Sequence, residues 1–160
     1  MRVQILLATL VAFGSFVTKA QTITTKVDDF TGKSSSQTSM VILQREMTTV
    51  VAITGFKDEN STSLRLSITY PMSPPVVIKE GEEILLKLSN DSVITLRNSQ
   101  MEVLSQTVRL FLSLTPSQID ELSKNRIDMI RVNTSDGAID FKGFNESKQE
   151  QVLKLASLMK

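Results

Sequence analysis

Residues 64–70 read Leu64-Arg65-Leu66-Ser67-Ile68-Thr69-Tyr70, so apolar and polar side chains alternate. A period of two is the pattern of a β-strand that buries one face. Residues 107–114 repeat this pattern, and Phe111 interrupts their polar face. These stretches predict two half-buried strands, and Phe111 indicates that the second is covered on both faces.

Further strands follow from shorter patterns and from the turn residues between them. Turn-forming residues separate paired runs of strand character, which predicts three hairpins. Their strands are 22–30 with 34–44, 83–88 with 93–97, and 127–133 with 138–142. Residues 48–56 predict another strand, followed by a solvated turn over 57–61. Three prolines in Pro71–Pro75 exclude a central strand there and predict a crossing loop or a sheet edge.

Two helices are predicted. Thr115-Pro116-Ser117-Gln118 is a capping box with proline at the first helical position, which starts a short helix over 116–124. Asn145 is a good N-cap for a second helix over 146–159. The second helix has an apolar stripe of Val152, Leu155, Ala156 and Met159, widened by Leu153 and Leu158, and a polar face of Lys148, Gln149, Gln151 and Lys154.

Together these elements predict an α+β domain that is mostly antiparallel β. We expect about eight or nine short strands in a curled sheet or a sandwich or barrel-like form, capped by the C-terminal helix. Strands do not alternate with long helices, so a parallel sheet is not expected. A single domain over residues 21–160 accounts for the whole pattern.

The composition excludes several chemistries. The 160 residues contain no His, Cys or Trp, and 18 basic residues against 17 acidic ones give a net charge of +1. Without His or Cys there is no disulfide, no usual zinc, blue-copper or iron–sulfur site, and no catalytic triad or Cys nucleophile. The balanced charge argues against nucleic acid as a partner. We expect no cofactor.

The first twenty residues have the three parts of a secretory signal peptide. Met1-Arg2 is a short basic start, Ile5 to Val17 is mostly apolar and uncharged, and Thr18-Lys19-Ala20 has small residues where cleavage sites need them. Cleavage is expected between Ala20 and Gln21; the alternative, an uncleaved anchor, would need a longer apolar run. We therefore expect an exported protein, periplasmic or extracellular, with no stable membrane anchor after cleavage.

Several segments resemble small exported proteins of the Bacteroidota. The resemblance rests on the signal peptide ending before Gln21, on Lys26–Lys33 with its Asp-Phe-Thr-Gly core, on Leu85–Asp91, and on Leu114–Leu122 running into Ile127–Val132. It implies an envelope or extracellular location. It carries over no catalytic or binding residue.

Carboxylates are the only acid–base groups present in useful number. They cluster in predicted turns, where the ordinary role is a solvated charge: Asp28-Asp29, Glu80-Glu82-Glu83, and Asp136 with Asp140. A calcium site at Asp136 and Asp140 lacks the EF-hand spacing. The Ser-x-x-Lys match at Ser157 and Lys160 lies at the chain end and predicts no hydrolase.

The aromatic residues Phe30, Phe56, Phe111, Phe141 and Phe144 are expected in the core. No catalytic, cofactor-binding or metal-ligating residue is therefore assigned.

Four Asn-x-Ser/Thr triplets begin at Asn60, Asn90, Asn133 and Asn145, all placed in predicted turns. They would be glycan acceptors in a eukaryotic secreted protein. In a bacterial source, Asp91-Ser92-Val93 instead resembles a short O-glycosylation sequence centred on Ser92. Ordinary turn composition accounts for both patterns.

Three functions remain open. The first is a non-catalytic exported module that binds an unknown partner protein, through a sheet edge or the Pro71–Pro75 loop. The second is a carrier of a small apolar ligand inside the curled sheet. The third and most remote is a carboxylate-based hydrolase, which would need a nucleophile–base pairing that the sequence does not display.

Overall fold

The computed structural model describes residues 21–29, 31–46, 49–70, 78–104 and 106–160. Within these ranges it contains ten β-strands and two α-helices. They are β1 (Ile23–Val27), β2 (Ser34–Thr38), β3 (Val41–Glu46), β4 (Thr49–Asp58), β5 (Thr62–Thr69), β6 (Glu83–Leu88), β7 (Val93–Leu104), β8 (Thr107–Ser113), α1 (Pro116–Leu122), β9 (Ile127–Thr134), β10 (Gly137–Lys142) and α2 (Glu146–Leu158).

All ten strands belong to one antiparallel sheet. Its order is β1-β2-β4-β5-β8-β7-β6-β9-β10, and β3 also pairs with β4. The long strand β7 joins two halves of the sheet, because residues 93–97 pair with β6 and residues from Asn98 onward pair with β8. Among the described strands the sheet does not close, since β1 and β10 lie at opposite ends of this order. The predicted α+β, mostly antiparallel class is confirmed, as an open sheet and not a barrel.

The alternating residues form the core as predicted. Leu64, Leu66 and Ile68 lie opposite Leu112, Leu110 and Val108 across β5 and β8, and all six are at most 2% exposed. They belong to one continuous apolar cluster that includes residues from both halves of the sheet and both helices. Burial of this face is the main stabilising contribution to the fold.

The hairpins form close to the predicted positions, with three corrections. The strand predicted over 93–97 continues to Leu104 as β7. Residues 34–44, predicted as one strand, are divided between β2 and β3, and both lie along the same edge of β4. The register of β3 on β4 shifts between Ile42 and Gln44, and Val41 and Leu43 are both buried. Lys57 and Asp58, predicted as turn residues, continue β4. The Pro71–Pro75 prediction falls outside the described residues.

Helix α1 starts as predicted. The backbone amide of Gln118 donates to Thr115 Oγ1 (3.3 Å), and the backbone amide of Thr115 donates to Gln118 Oε1 (2.9 Å). These bonds satisfy two amides that the helix itself leaves without partners. The helix ends at Leu122, two residues before the predicted end, and Leu114 and Ile119 are both buried beside the cap.

Helix α2 packs on β3, β4 and β9 and so covers strands from both halves of the sheet. Its N-cap is Asn145, whose Oδ1 accepts from the amide of Ser147 (3.0 Å), and the whole stripe Val152, Leu155, Ala156 and Met159 is buried. Two predictions for this helix were wrong. Leu158 is 36% exposed, and Gln149 is buried because its Nε2 donates to the carbonyl of Ile127 (2.9 Å). No helix in the described part of the chain has the length and apolar character to cross a membrane.

The aromatic residues divide between the core and the outer face. Phe141 and Phe144 are buried as predicted, whereas Phe56 and Phe111 are only half-buried. Phe56 lies on the outer face, where the guanidinium of Arg65 stands 4.9 Å from its ring centre. Phe30 lies outside the described residues.

Candidate functional site

The sheet ends at β1, a strand that lies on the surface of the fold. Every residue of β1 is exposed, including Val27 at 61% and Ile23 at 39%. Among the described residues β1 pairs only with β2. Few apolar contacts therefore hold this strand, and a second strand-like segment could pair along its outer side.

Hydrogen bonds at the two ends of β1 identify which backbone groups point outward. The amide of Ser39 donates to the carbonyl of Thr22 (2.8 Å), and the amide of Asp28 donates to the carbonyl of Lys33 (2.9 Å). In an antiparallel ladder, residues that exchange bonds with the partner strand alternate with residues that do not. The even-numbered residues thus bond to β2, and the amides and carbonyls of Ile23, Thr25 and Val27 point away from it.

A groove of about 530 Å³ lies beside β1, on the face that carries Thr24 and Lys26. Its other walls include Gln37 of β2 and Phe56 of β4. Most of its lining residues are Ser, Thr or Gln, with apolar surface from Met40 and Phe56, so an extended segment that carries both polar and small apolar side chains suits it.

The turn after β4 borders the same groove and is held rigidly by one carboxylate. Asp58 Oδ1 accepts from the amides of Asn60 (2.8 Å) and Ser61 (2.6 Å), and Oδ2 accepts from the Ser61 hydroxyl (2.8 Å). The bond from the Asn60 amide and those from Ser61 lower the pKa of Asp58. A carboxylate so used is a structural group of the turn.

The predicted carboxylate clusters lie in three separate parts of the fold, and two of their members, Glu83 and Asp140, belong to strands. Asp28, with Asp29 beside it, lies in the β1–β2 turn, where Asp28 Oδ1 accepts from the amide of Thr31 (2.7 Å). Asp140 of β10 takes two bonds from Arg131, at 2.6 and 2.7 Å. The hydrogen bond from Arg131 is the main cause of the lowered pKa of Asp140.

The other members of these clusters are also surface groups. Glu80 is exposed and Glu82 half-buried; Glu83, at the start of β6, lies 3.6 Å from Arg97. Asp136 is exposed, and its amide donates to Thr134 Oγ1 (3.2 Å). Across the described residues, no group of three acidic side chains is placed to hold a metal ion.

Both residues of the Ser-x-x-Lys match, Ser157 and Lys160, make structural contacts. Ser157 Oγ donates to the carbonyl of Leu153 (2.9 Å), and Lys160 Nζ donates to Asp120 Oδ1 (2.8 Å). Lys124 also donates to Asp120, at 2.5 Å, and these two bonds lower the pKa of Asp120 to about 2.

Three of the four glycosylation triplets lie in turns or at a helix start. Asn60 and Asn90 are exposed, and Asn145 is the N-cap of α2. The prediction of a turn at Asn133 was wrong, because it lies within β9 and is half-buried. Ser92 is half-buried, and its hydroxyl donates to Asn90 Oδ1 (2.8 Å).

The predicted signal peptide, up to Ala20, lies outside the described residues. Gln21 is described, and its Oε1 accepts from the hydroxyl of Ser39 (2.7 Å) at the β2–β3 bend. The exposed edge of β1 was missed at the sequence level. Its only sequence signal is composition, since Ile23-Thr24-Thr25-Lys26-Val27 has strand character but no apolar face.

Comparison of the chain with models of known protein families, with curated proteins and with solved structures found no match.

Proposed function

We propose that this chain is an exported, non-catalytic module that binds a partner protein. In this proposal an extended segment of the partner adds to the sheet along the outer side of β1. The observation that carries it is the row of backbone groups at Ile23, Thr25 and Val27, which point away from β2 and pair with no other described strand. Strand addition draws its affinity from such main-chain bonds and its specificity from side-chain pockets beside them.

The groove beside β1 supports this mode of binding. Thr24 and Lys26 face it from the strand itself, so alternate side chains of an added segment would meet the same surface. Lys26 supplies a charge at the rim and Phe56 an apolar contact on the far side. A segment with alternating polar and small apolar residues fits this arrangement.

The pKa values of three carboxylates support the non-catalytic part of this proposal. Asp58, Asp120 and Asp140 all have lowered pKa values because they accept hydrogen bonds from amides or cations. A general acid needs the opposite shift, which burial or a neighbouring carboxylate would produce. These three groups are therefore suited to structural roles.

Export is supported by the sequence pattern of residues 1–20 and by the place of β1 in the chain. Ile23 begins β1 three residues after Ala20. Cleavage after Ala20 would make β1 the first element of the mature protein. The apolar-ligand carrier remains a prediction without a supporting observation, because the apolar cluster fills the buried face with side chains.

Photo-cross-linking in the native source tests the proposal. A photoreactive side chain is placed at Lys26 on β1 and, as a matched exposed lysine, at Lys154 on α2. We expect one partner sequence to be cross-linked at Lys26 and not at Lys154. The same proteins at both positions would contradict the proposal.

A pair of variants at Thr25 then separates backbone pairing from side-chain contact. Thr25→Pro removes an amide that points away from β2, so the strand itself tolerates the change. Thr25→Ala keeps the amide and loses the same hydroxyl bond to Ser36 that the proline variant loses. We expect Thr25→Pro to abolish the Lys26 cross-link and Thr25→Ala to retain it; equal cross-linking by both would overturn strand addition.

A further inference from the structure

A second groove on the outer face of the sheet collects positive charge. It has a volume of about 260 Å³ and lies over β3, β4, β5 and β8. Three arginines line it, Arg45 from β3, Arg65 from β5 and Arg109 from β8, and Ala52 and Ser67 are small enough to leave space between them. The pairing register of β5 and β8 sets Ser67 opposite Arg109, so Arg65 and Arg109 are diagonal neighbours on one face.

The positive charges of this arginine groove are only partly neutralised. Within the described residues, neither Arg45 nor Arg65 forms an ion pair, and Arg109 has one contact, at 3.7 Å, with Glu102. The Nε atom of Arg65 is buried and lacks a hydrogen-bond partner among the described residues. A buried donor of this kind costs free energy until a ligand or water accepts from it.

The guanidinium of Arg65 is held in place and desolvated. Its Cζ atom lies over the Phe56 ring, 4.9 Å from the ring centre, and this cation–π contact fixes the position of the cation. Burial and then the charge of Arg109 lower the pKa of Arg65. Burial disfavours the charged guanidinium, and the nearby charge of Arg109 repels it. An anion bound between the two cations would offset both effects.

The rest of the lining is hydroxyl groups together with the apolar side chains of Met40, Ile42 and Val50. Ser67, Thr69 and Thr107 face the groove. Thr69 and Thr107 share one hydrogen bond at 2.9 Å, so the proton of the accepting hydroxyl remains available to a ligand. The groove therefore offers donors from several directions and no carboxylate among its lining residues, which matches a tetrahedral oxyanion better than a planar carboxylate.

We propose that the arginine groove binds a phosphate or sulfate group, with Arg65 and Arg109 as its main ligands. The proposal does not depend on strand addition at β1, which uses a different part of the sheet.

Calorimetric titration of the purified protein with inorganic phosphate, inorganic sulfate and acetate tests it, at constant ionic strength balanced with chloride. Four variants are compared with the wild type. Arg65→Gln and Arg109→Gln each remove one proposed ligand, and Arg97→Gln removes the same charge from an exposed arginine elsewhere on the sheet. Glu102→Gln removes the one carboxylate that competes for Arg109.

We expect saturable binding of phosphate or sulfate, weakened at least tenfold by Arg65→Gln or Arg109→Gln and unchanged by Arg97→Gln. Glu102→Gln should tighten binding severalfold, which shows that the effect is not a loss of folding. The stronger of phosphate and sulfate identifies the kind of ester to be sought. Equal weakening by Arg65→Gln and Arg97→Gln, tighter binding of acetate than of both other anions, or no saturable binding of any anion would overturn the proposal.

Discussion

At the scale of single residues, Gly55 determines how closely α2 approaches the sheet. A Cβ atom at this position of β4 would lie 2.2 Å from Met159 Sδ and 3.1 Å from Leu155 Cδ2. Both of those side chains are buried, at 1% and 0% exposed, so neither has free space into which to move. A glycine inside a strand usually weakens it, and here close packing of a helix gives the reason for it.

We therefore expect Gly55→Ala to lower the free energy of unfolding by about 1–3 kcal/mol through overpacking. Urea unfolding followed by circular dichroism measures this change. In a double-mutant cycle with Met159→Ala, the cost of Gly55→Ala should fall, because the truncated side chain vacates the contested space. Strict additivity of the two substitutions would contradict the proposed contact.

Asp120 provides a residue-scale prediction about pH. Its pKa of about 2, below the ordinary 3.8, follows from hydrogen bonds donated by Lys124 and Lys160. Because the folded-state pKa is lowered, the contribution to stability is present above the unfolded-state pKa and is lost as the pH falls from about 4 to about 2. Lys160→Met should raise the pKa of Asp120 toward 3.8 in an NMR titration of its carboxyl group, whereas Lys154→Met should leave it unchanged. An unchanged pKa in Lys160→Met would show that the C-terminal lysine does not hold Asp120.

At the scale of elements, the sequence predicted best those helices and hairpins that are determined by residues close together in the chain. The capping box at Thr115 and Gln118 and the β6–β7 and β9–β10 hairpins depend on local turn chemistry, so their sequence signals are direct. Gln149 was misplaced because its partner, the carbonyl of Ile127, is 22 positions away in the sequence. Side-chain pattern alone does not reveal such a tertiary hydrogen bond.

The candidate sites were missed for the same reason. Neither the exposed edge of β1 nor the arginine groove has a local signature, since each depends on which strands become neighbours. Arg65 and Arg109 each occupy an ordinary polar position of an alternating strand. Only the antiparallel register of β5 and β8 makes them diagonal neighbours.

The cap of α1 gives an element-scale prediction. Thr115→Ala removes the acceptor of the Gln118 amide and should lower the free energy of unfolding by about 1 kcal/mol. Thr115→Ser keeps a hydroxyl at this position and should cost a few tenths of that amount. Urea unfolding of the two variants checks the difference, and equal stabilities would mean that the cap contributes nothing measurable.

At the scale of the whole molecule, β7 and α2 tie the two halves of the sheet into one unit. The apolar cluster is continuous between the halves, and α2 packs on β3 and β4 of one half and on β9 of the other. A sheet whose halves share a strand, a core and a covering helix should unfold in one cooperative step.

Substitutions at Ile53 in β4 and Ile130 in β9 test whether unfolding is cooperative, because these residues belong to opposite halves of the sheet and are 2% and 0% exposed. Ile53→Ala and Ile130→Ala should each lower the stability by about 2–5 kcal/mol and shift one common transition. Far-UV circular dichroism and the fluorescence of Tyr70, the single tyrosine in a chain without tryptophan, should give coincident curves. Two separate transitions in either variant would show that the halves unfold independently.

The central proposal, strand addition at β1, is tested most directly by amide hydrogen exchange. The partner sequence cross-linked at Lys26 is synthesised as a peptide and added to the purified protein, and exchange at each β1 amide is measured by NMR. We predict that the amides of Ile23, Thr25 and Val27 become protected, while the amides of Thr24 and Lys26, already bonded to β2, change little. A bound peptide that leaves the three outward amides unprotected would contradict the account.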